Sequence, residues 1–166
     1  MGFLVSERKN LLSYLSPQTQ QRDPLMEYLF KLNDKVRDYE CDLQGIVNNS
    51  VYQNYLEHAR HEFLYASGIN FAKLASEGVF LVVTRAELNY KTPLKSGDSY
   101  WIGLRLSRSS KIRFDFYQDI YRASDNKLAV SAKVTGTCLN ERGRPGALPE
   151  LDQLISNITS STTLKE

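Results

Sequence analysis

Residues 39–64 read YECDLQGIVNNSVYQNYLEHARHEFL and bring a carboxylate, a glycine and a helix start close together. Asp42 lies shortly before Gly45, and Asn49 stands where a helical pattern begins. A carboxylate can act as a base or a nucleophile, and the free N–H groups of a helix start can stabilise a developing negative charge. Gly45 allows a tight turn and a close approach of the backbone to a ligand. These residue types suit a reaction that passes through an oxyanion.

A structural role is the alternative for the same residues. Asp42, Asn49 or Ser50 could simply cap the helix, because these residue types favour helix starts. Cys41 is beside Asp42, but strand alternation puts its side chain on the opposite side, and no histidine lies in the same loop to activate it. No G-x-S-x-G motif occurs in the chain, which argues against a serine hydrolase.

Glu57, His58, His61 and Glu62 follow on the predicted helix. Glu57 with His61 and His58 with Glu62 have the i,i+4 spacing of ordinary surface pairs, which stabilise a helix by about 0.3 kcal/mol each. Two histidines and one glutamate lack a further ligand in the sequence. We therefore expect no metal site here.

Periodic apolar residues predict the elements that must position these groups. Apolar and polar residues alternate over 28–36, which predicts a strand that leads directly to Asp42. From Ser50 the apolar residues recur with helical spacing, and Gly68 is placed to end a helix of about five turns. A short helical piece at 70–78 precedes four strand-like segments at 79–90, 98–108, 111–122 and 127–140. Turn-forming connections between these segments predict an antiparallel meander.

This element order predicts an α+β domain, in which a curved antiparallel sheet of about five strands wraps one long helix as in the hot-dog fold. The domain is expected to span residues 26–152. Residues 1–25 are predicted to be a polar N-terminal extension, and 153–166 a flexible C-terminal tail. Sheet edges and helix faces that one chain leaves uncovered predict a homodimer or homotetramer.

The bulk composition argues against several classes of function. The 166-residue chain has 21 basic and 19 acidic residues, and its net charge of +2 gives no reason to expect nucleic acid or a membrane as partner. The longest wholly apolar run, at 79–83, is far shorter than the ~20 residues that cross a bilayer, so a cytoplasmic protein is expected. Cys41 and Cys138 are too few for a disulfide framework.

One spacing pattern in the chain, D-x-x-G-x-V-x-x-x-x-Y-x-x-x-x-E-x-A-R, resembles the signature of a known family. That family is the 4-hydroxybenzoyl-CoA thioesterase-like branch of hot-dog acyl-CoA thioesterases, and the VNNxxY form is also similar to acyl-carrier-protein thioesterases. The matching residues are Asp42, Gly45, Val47, Tyr52, Glu57, Ala59 and Arg60. A looser similarity covers about residues 28–149.

The resemblance implies hydrolysis of an acyl thioester of CoA or of acyl-carrier protein, without a metal or a cofactor. It makes Asp42 the nucleophile or general base and the amide of Asn49 the oxyanion donor, with Gly45 shaping the loop. Glu62, which interrupts the apolar stripe, is an alternative acid, because a sister branch places a glutamate on the central helix. A non-catalytic acyl-CoA-binding domain is the alternative function. A dehydratase is disfavoured, since residues 38–50 contain no histidine.

Substrate-binding residues follow from the same resemblance. In the motif they are Asn48, Tyr52 and Glu57. A basic cluster at a predicted hairpin turn could hold the phosphates of CoA; its members are Arg105, Arg108, Lys111 and Arg113. A solvated polar hairpin explains this cluster equally well.

Overall fold

The computed structural model describes residues 28–163, so the predicted extension at 1–25 lies outside the described residues. The strands are β1 (Phe30–Lys35), β2 (Phe80–Tyr90), β3 (Ser99–Ser110), β4 (Arg113–Arg122), β5 (Leu128–Leu139) and β6 (Pro145–Gly146). The helices are α1 (Val51–Ala66), α2 (Phe71–Ser76) and α3 (Pro149–Thr163), with a short 3-10 helix at Asp38–Glu40. Within residues 28–163, no helix is both long and apolar enough to cross a membrane.

The strands form one antiparallel six-stranded sheet in the order β1-β3-β4-β5-β2, with β6 added beside β5. Strands β3, β4 and β5 are the predicted meander. The prediction is wrong for β2, which pairs with β5 at the sheet edge instead of with β3. The connection at 91–98 crosses the end of the sheet. Leu94 is fully buried in this connection, and its carbonyl oxygen accepts from the N–H of Val47 at 2.9 Å.

Helix α1 packs across the concave face of the sheet through the apolar stripe that the sequence predicts. Tyr52, Tyr55, Leu56, Ala59 and Phe63 are all buried. The ring of Tyr55 stacks on that of Tyr100 in β3, with 4.7 Å between centroids. The prediction of an α+β hot-dog fold, with a sheet wrapped around one long helix, is confirmed.

Helix α3 differs from the flexible tail predicted at 153–166. It crosses the predicted domain limit at residue 152 and continues to Thr163. Leu148, Leu151 and Ile155 have the spacing of one helix face and are buried in the core. Burial of this apolar face outweighs the polar composition of the segment.

Candidate functional site

Asp42 lies in a tight loop between the 3-10 helix and α1. Its N–H donates to the carbonyl oxygen of Ile46 at 2.9 Å, and its own carbonyl oxygen accepts from the N–H of Gly45 at 2.9 Å. Gly45 has φ +74°, a left-handed conformation that favours glycine. Oδ1 of Asp42 accepts from the N–H of Gln44 at 2.8 Å, whereas Oδ2 has no hydrogen-bond partner within residues 28–163. The loop thus leaves one carboxylate oxygen available for chemistry.

The two asparagines before α1 have different roles. The side-chain oxygen of Asn48 accepts from the N–H of Ser50 at 3.0 Å and from its hydroxyl at 2.8 Å. The carbonyl oxygen of Asn48 accepts from the N–H of Val51 at 3.0 Å. Among the described residues, no acceptor is bonded to the N–H of Asn49. Asn48 therefore organises the helix start, and the N–H of Asn49 is an unpaired amide at the positive end of the helix dipole.

A cavity of about 410 Å³ opens between the Asp42 loop, the start of α1 and the ends of β2 and β5. Asp42, Asn49 and Tyr52 line it together, so the structure brings these predicted residues to one place. Tyr90 also lines the cavity, and its hydroxyl donates to the carbonyl oxygen of Asn49 at 3.1 Å. Lys91 lies in the lining as well. Asp42, with an unpaired carboxylate oxygen, and Asn49, with an unpaired backbone N–H, therefore line the same cavity.

Tyr52 contributes its ring to the cavity wall. It is buried, and its hydroxyl accepts from the N–H of Leu94 at 3.1 Å. Its ring lies edge-on to those of Tyr55 and Tyr90, with centroids 5.9 Å and 5.7 Å away. Burial raises the pKa of the Tyr52 phenol, and the bond from Leu94 only partly opposes this effect. Tyr52 stays neutral and gives the cavity an apolar side.

Glu40 anchors the Asp42 loop to α1 and to the segment that follows β1. Its Oε2 accepts from the hydroxyl of Tyr55 at 2.6 Å and from the N–H of Arg37 at 2.7 Å. Its carbonyl oxygen accepts from the N–H of Asn48 at 3.0 Å. Burial and the bond to Glu40 raise the pKa of Tyr55 far above its ordinary value. These bonds hold both ends of the loop that carries Asp42.

Glu57 does not line the cavity of Asp42. It is exposed on α1, and its Oε1 lies 3.8 Å from Nε2 of His61. Both side chains line a second cavity. Glu62, the alternative acid, is exposed and lines neither of these cavities. Within one chain, the structure therefore separates both glutamates from Asp42.

Arg108 is engaged by the chain itself. Its guanidinium donates to the carbonyl oxygens of Ser110 and Lys111, each at 3.2 Å, and forms an ion pair with Asp152 of α3. These contacts join the β3–β4 hairpin to the C-terminal helix. Arg105 likewise pairs with Asp119, at 3.6 Å. Both arginines have structural partners within the chain.

Lys111 and Arg113 are exposed at the β3–β4 hairpin, at the far end of the sheet from Asp42. Arg113 pairs in register with Thr137 of β5, whereas the cavity of Asp42 reaches Ala129 of the same strand. At ~3.3 Å per residue, Thr137 and Ala129 lie about 26 Å apart along β5. The hairpin and the cavity are therefore not brought together within one chain.

The sequence did not predict that three residues support the site. They are Glu40, its hydrogen-bond partner Tyr55, and Tyr90. A local signal existed only for Glu40, whose spacing from Arg37 fits the cap that they form. The contacts of Glu40 with Tyr55 and of Tyr90 with Asn49 join distant parts of the chain. No periodic pattern in the sequence reports such contacts.

Residues 36–156 match the family model of the thioesterase-like superfamily. A chloroplastic acyl-acyl carrier protein thioesterase of Arabidopsis thaliana is 38% identical over 115 residues, which are 69% of this chain and 60% of the relative. The chain thus spans about three fifths of the length of that curated relative. The family model covers the Asp42 loop, α1 and strands β2 to β6, and it begins after β1.

Two solved structures share the fold. The probable thioesterase of Bartonella henselae is 31% identical, with a TM-score of 0.67 over 72% of this chain and 98% of that one. The DHNA-CoA thioesterase of Staphylococcus aureus is 19% identical, with a TM-score of 0.76 over 85% of this chain and 97% of that one. At the lower identity, the likeness concerns the fold alone.

Proposed function

Because the chain belongs to the thioesterase-like superfamily, we propose that it hydrolyses an acyl thioester to a free acid and a thiol. The resemblance seen in the sequence is confirmed for the family. The observation that carries the proposal is that one cavity is lined both by Asp42, which has an unpaired carboxylate oxygen, and by Asn49, which has an unpaired N–H. A thioester carbonyl is electrophilic and its thiolate leaves easily, so a positioned carboxylate and an oxyanion donor are sufficient.

Asp42 can act on the thioester by two routes. As a general base, it takes a proton from water while the water oxygen bonds to the carbonyl carbon and the carbonyl oxygen becomes an oxyanion. The oxyanion then reforms the carbonyl, the C–S bond breaks, and the leaving thiolate takes the proton. As a nucleophile, it bonds to that carbon and releases the thiolate, and water then cleaves the resulting anhydride. In both routes the N–H of Asn49 donates to the oxyanion, at the end of α1 whose dipole favours negative charge.

We propose acyl-carrier protein as the carrier of the acyl group, with CoA as the alternative. The name of the Arabidopsis relative supports the first carrier. Both carriers present the thioester on phosphopantetheine, which carries a phosphate at the end away from the thioester. Lys91 lines the cavity and has no carboxylate within 4.0 Å among the described residues. We assign the phosphate to Lys91, because an ammonium group without a partner attracts an anion.

A homodimer is part of the proposal. Within the described residues, β2 pairs on one side only, and it carries the exposed side chains Phe80, Val83 and Tyr90. Antiparallel pairing of two β2 strands would cover this edge and would place the Phe80 end of one copy beside the Tyr90 end of the other. The hairpin of the second copy, with Lys111 and Arg113, would then approach the cavity. These two cations stay proposed as ligands of a CoA nucleotide.

Thiol release from a panel of acyl-carrier-protein and acyl-CoA esters tests the proposed reaction. Asp42→Asn should lower turnover at least about a hundredfold and preserve binding of a non-hydrolysable thioether analogue. Asp38→Asn, an exposed change in the 3-10 helix before this loop, should leave turnover unchanged. Background rates on every ester would contradict hydrolysis. Background rates together with tight binding of the analogue would support a non-catalytic acyl-binding domain instead.

A further inference from the structure

A second cavity, of about 180 Å³, lies between α1, α2 and strands β2, β4 and β5. It shares no lining residue with the cavity of Asp42. Most of its wall is apolar. The large apolar side chains in the lining include Leu64, Phe71, Leu81, Val83, Phe114 and Phe116. Such a wall suits a hydrocarbon group.

Arg60 is the fixed cation of this cavity. It is half-buried, and its Nη1 donates to Oε1 of Gln118 at 3.0 Å. Gln118 is fully buried, and its Nε2 donates to the carbonyl oxygen of Leu56 in α1 at 2.8 Å. The guanidinium is therefore held by an amide that is itself tied to the helix backbone. A cation held in this way loses little conformational freedom when it binds an anion.

The charge of Arg60 has no direct partner among the described residues. No carboxylate of residues 28–163 lies within 4.0 Å of the guanidinium, and its other N–H groups donate to no described acceptor. Burial lowers the pKa of Arg60, and the Glu57 carboxylate only partly opposes this effect. Glu57 is exposed and lies 3.8 Å from His61, so its field at Arg60 is screened by solvent. A half-buried guanidinium in an apolar cavity calls for an anion that brings apolar surface with it.

We propose that this second cavity binds a short monocarboxylate, with the carboxylate on the guanidinium of Arg60 and the hydrocarbon against the apolar wall. A planar guanidinium matches a carboxylate through two parallel hydrogen bonds. The volume limits the ligand to a short chain or a single ring. An acid of this class is also what the proposed hydrolysis releases, and only this link to the product rests on the proposed function. The cavity of Asp42, by contrast, presents a carboxylate that repels such an anion.

Calorimetric titration of the full chain with hexanoate and with the neutral hexan-1-ol tests the site. We expect hexanoate to bind about tenfold more tightly than the alcohol, and Arg60→Met to abolish this preference. Lys73→Met, which removes a charge on α2 outside the cavity, and Asp42→Asn should both keep it. Equal binding of acid and alcohol would overturn the proposal, as would unchanged hexanoate binding by Arg60→Met. Tighter hexanoate binding by Asp42→Asn would also overturn it, since the acid would then occupy the first cavity, where loss of the carboxylate removes a repulsion.

A second measurement needs no variant and remains decisive if Arg60→Met fails to fold. In nitrogen-labelled wild-type protein, hexanoate should shift the side-chain Nε–H resonance of Arg60 and leave the backbone amide of Asn49 unchanged. A shift of Asn49 alone would overturn the proposal. Failure of thioester hydrolysis with a retained Arg60 shift would reject the proposed reaction and keep the binding site, so the two proposals fail separately.

Discussion

The hydroxyl of Tyr90 donates a hydrogen bond to the carbonyl oxygen of Asn49 across 3.1 Å and joins edge strand β2 to the start of α1. The preceding carbonyl group is also held, because the carbonyl oxygen of Asn48 accepts from the N–H of Val51 at 3.0 Å. The N–H of Asn49 therefore lies between two fixed carbonyl groups. An oxyanion donor is effective when its direction is set before the reaction begins.

Tyr90→Phe should lower kcat about fivefold and leave KM nearly unchanged, because the lost bond fixes a donor that acts on the transition state. Steady-state kinetics on the preferred thioester measures this effect. Tyr65→Phe is the matched control, since Tyr65 is exposed on α1 and lines neither cavity. A kcat of Tyr90→Phe equal to that of Tyr65→Phe would show that the hydroxyl does not position Asn49.

Gly45→Ala should lower the free energy of unfolding by about 1 kcal/mol. It should also reduce kcat, by more than the small increase in the unfolded fraction of the protein would cause. Gly45 has φ +74°, and no atom lies within 4 Å of an added Cβ, so the cost comes from the backbone conformation alone. A loop that relaxes this strain moves the Asp42 carboxylate. Urea unfolding and thiol-release kinetics measure the two effects.

Gly143→Ala provides the matched control for that change. Gly143 has φ +68° and equally open surroundings, and it lies in the turn between β5 and β6. The Gly143→Ala variant should lose as much free energy of unfolding as Gly45→Ala and should keep full activity. If both variants kept full activity, the conformation of Gly45 would have no role in the reaction.

The local part of the site could be predicted from the sequence because short-range physics determines it. The sequence predicts a turn at Gly45 between Asp42 and a helix start near Asn49, and the structure has both the turn and the helix start. The buried stripe of α1 follows the helical period for the same reason. Residues close along the chain are confined to a few conformations.

Contacts between distant segments could not be predicted from the same patterns. Strand β2 begins within the wholly apolar run at 79–83, and no periodic pattern reports that the crossing at 91–98 leaves it beside β5. The bonds from Tyr90 to Asn49 and from Tyr55 to Glu40 exist only after this crossing and the packing of α1 are in place. Helix α3 was missed because its serines and threonines concealed the apolar face that Leu151 and Ile155 form.

Tyr55 should make stability depend on pH in the alkaline range. Burial first, and then the bond to Glu40, raise the pKa of Tyr55 above its ordinary value of 10.0 in the folded protein. The unfolded chain therefore loses the phenol proton first, and the free energy of unfolding falls as pH rises above about 10. Below that pH the contribution of Tyr55 is fully present.

Tyr55→Phe should reduce this alkaline fall, because phenylalanine has no proton to lose. Urea unfolding from neutral pH to the alkaline range gives the slope for each variant. Tyr39→Phe, an exposed change beside Glu40, should keep the wild-type slope. Equal slopes in Tyr55→Phe and wild type would mean that other groups control the alkaline transition.

Lys91→Gln should raise KM severalfold for phosphopantetheine thioesters and leave kcat unchanged, because it removes a cation that attracts the carrier phosphate before the reaction. The wild-type KM should rise with salt, and the KM of the variant should rise less. Lys95→Gln is the control, since Lys95 is exposed in the same connection but does not line the cavity. An unchanged KM in Lys91→Gln together with a raised KM in Lys111→Gln would show that the phosphate binds at the β3–β4 hairpin and not at Lys91. That outcome would favour CoA as the carrier, and it would require the second copy of the chain to complete the site.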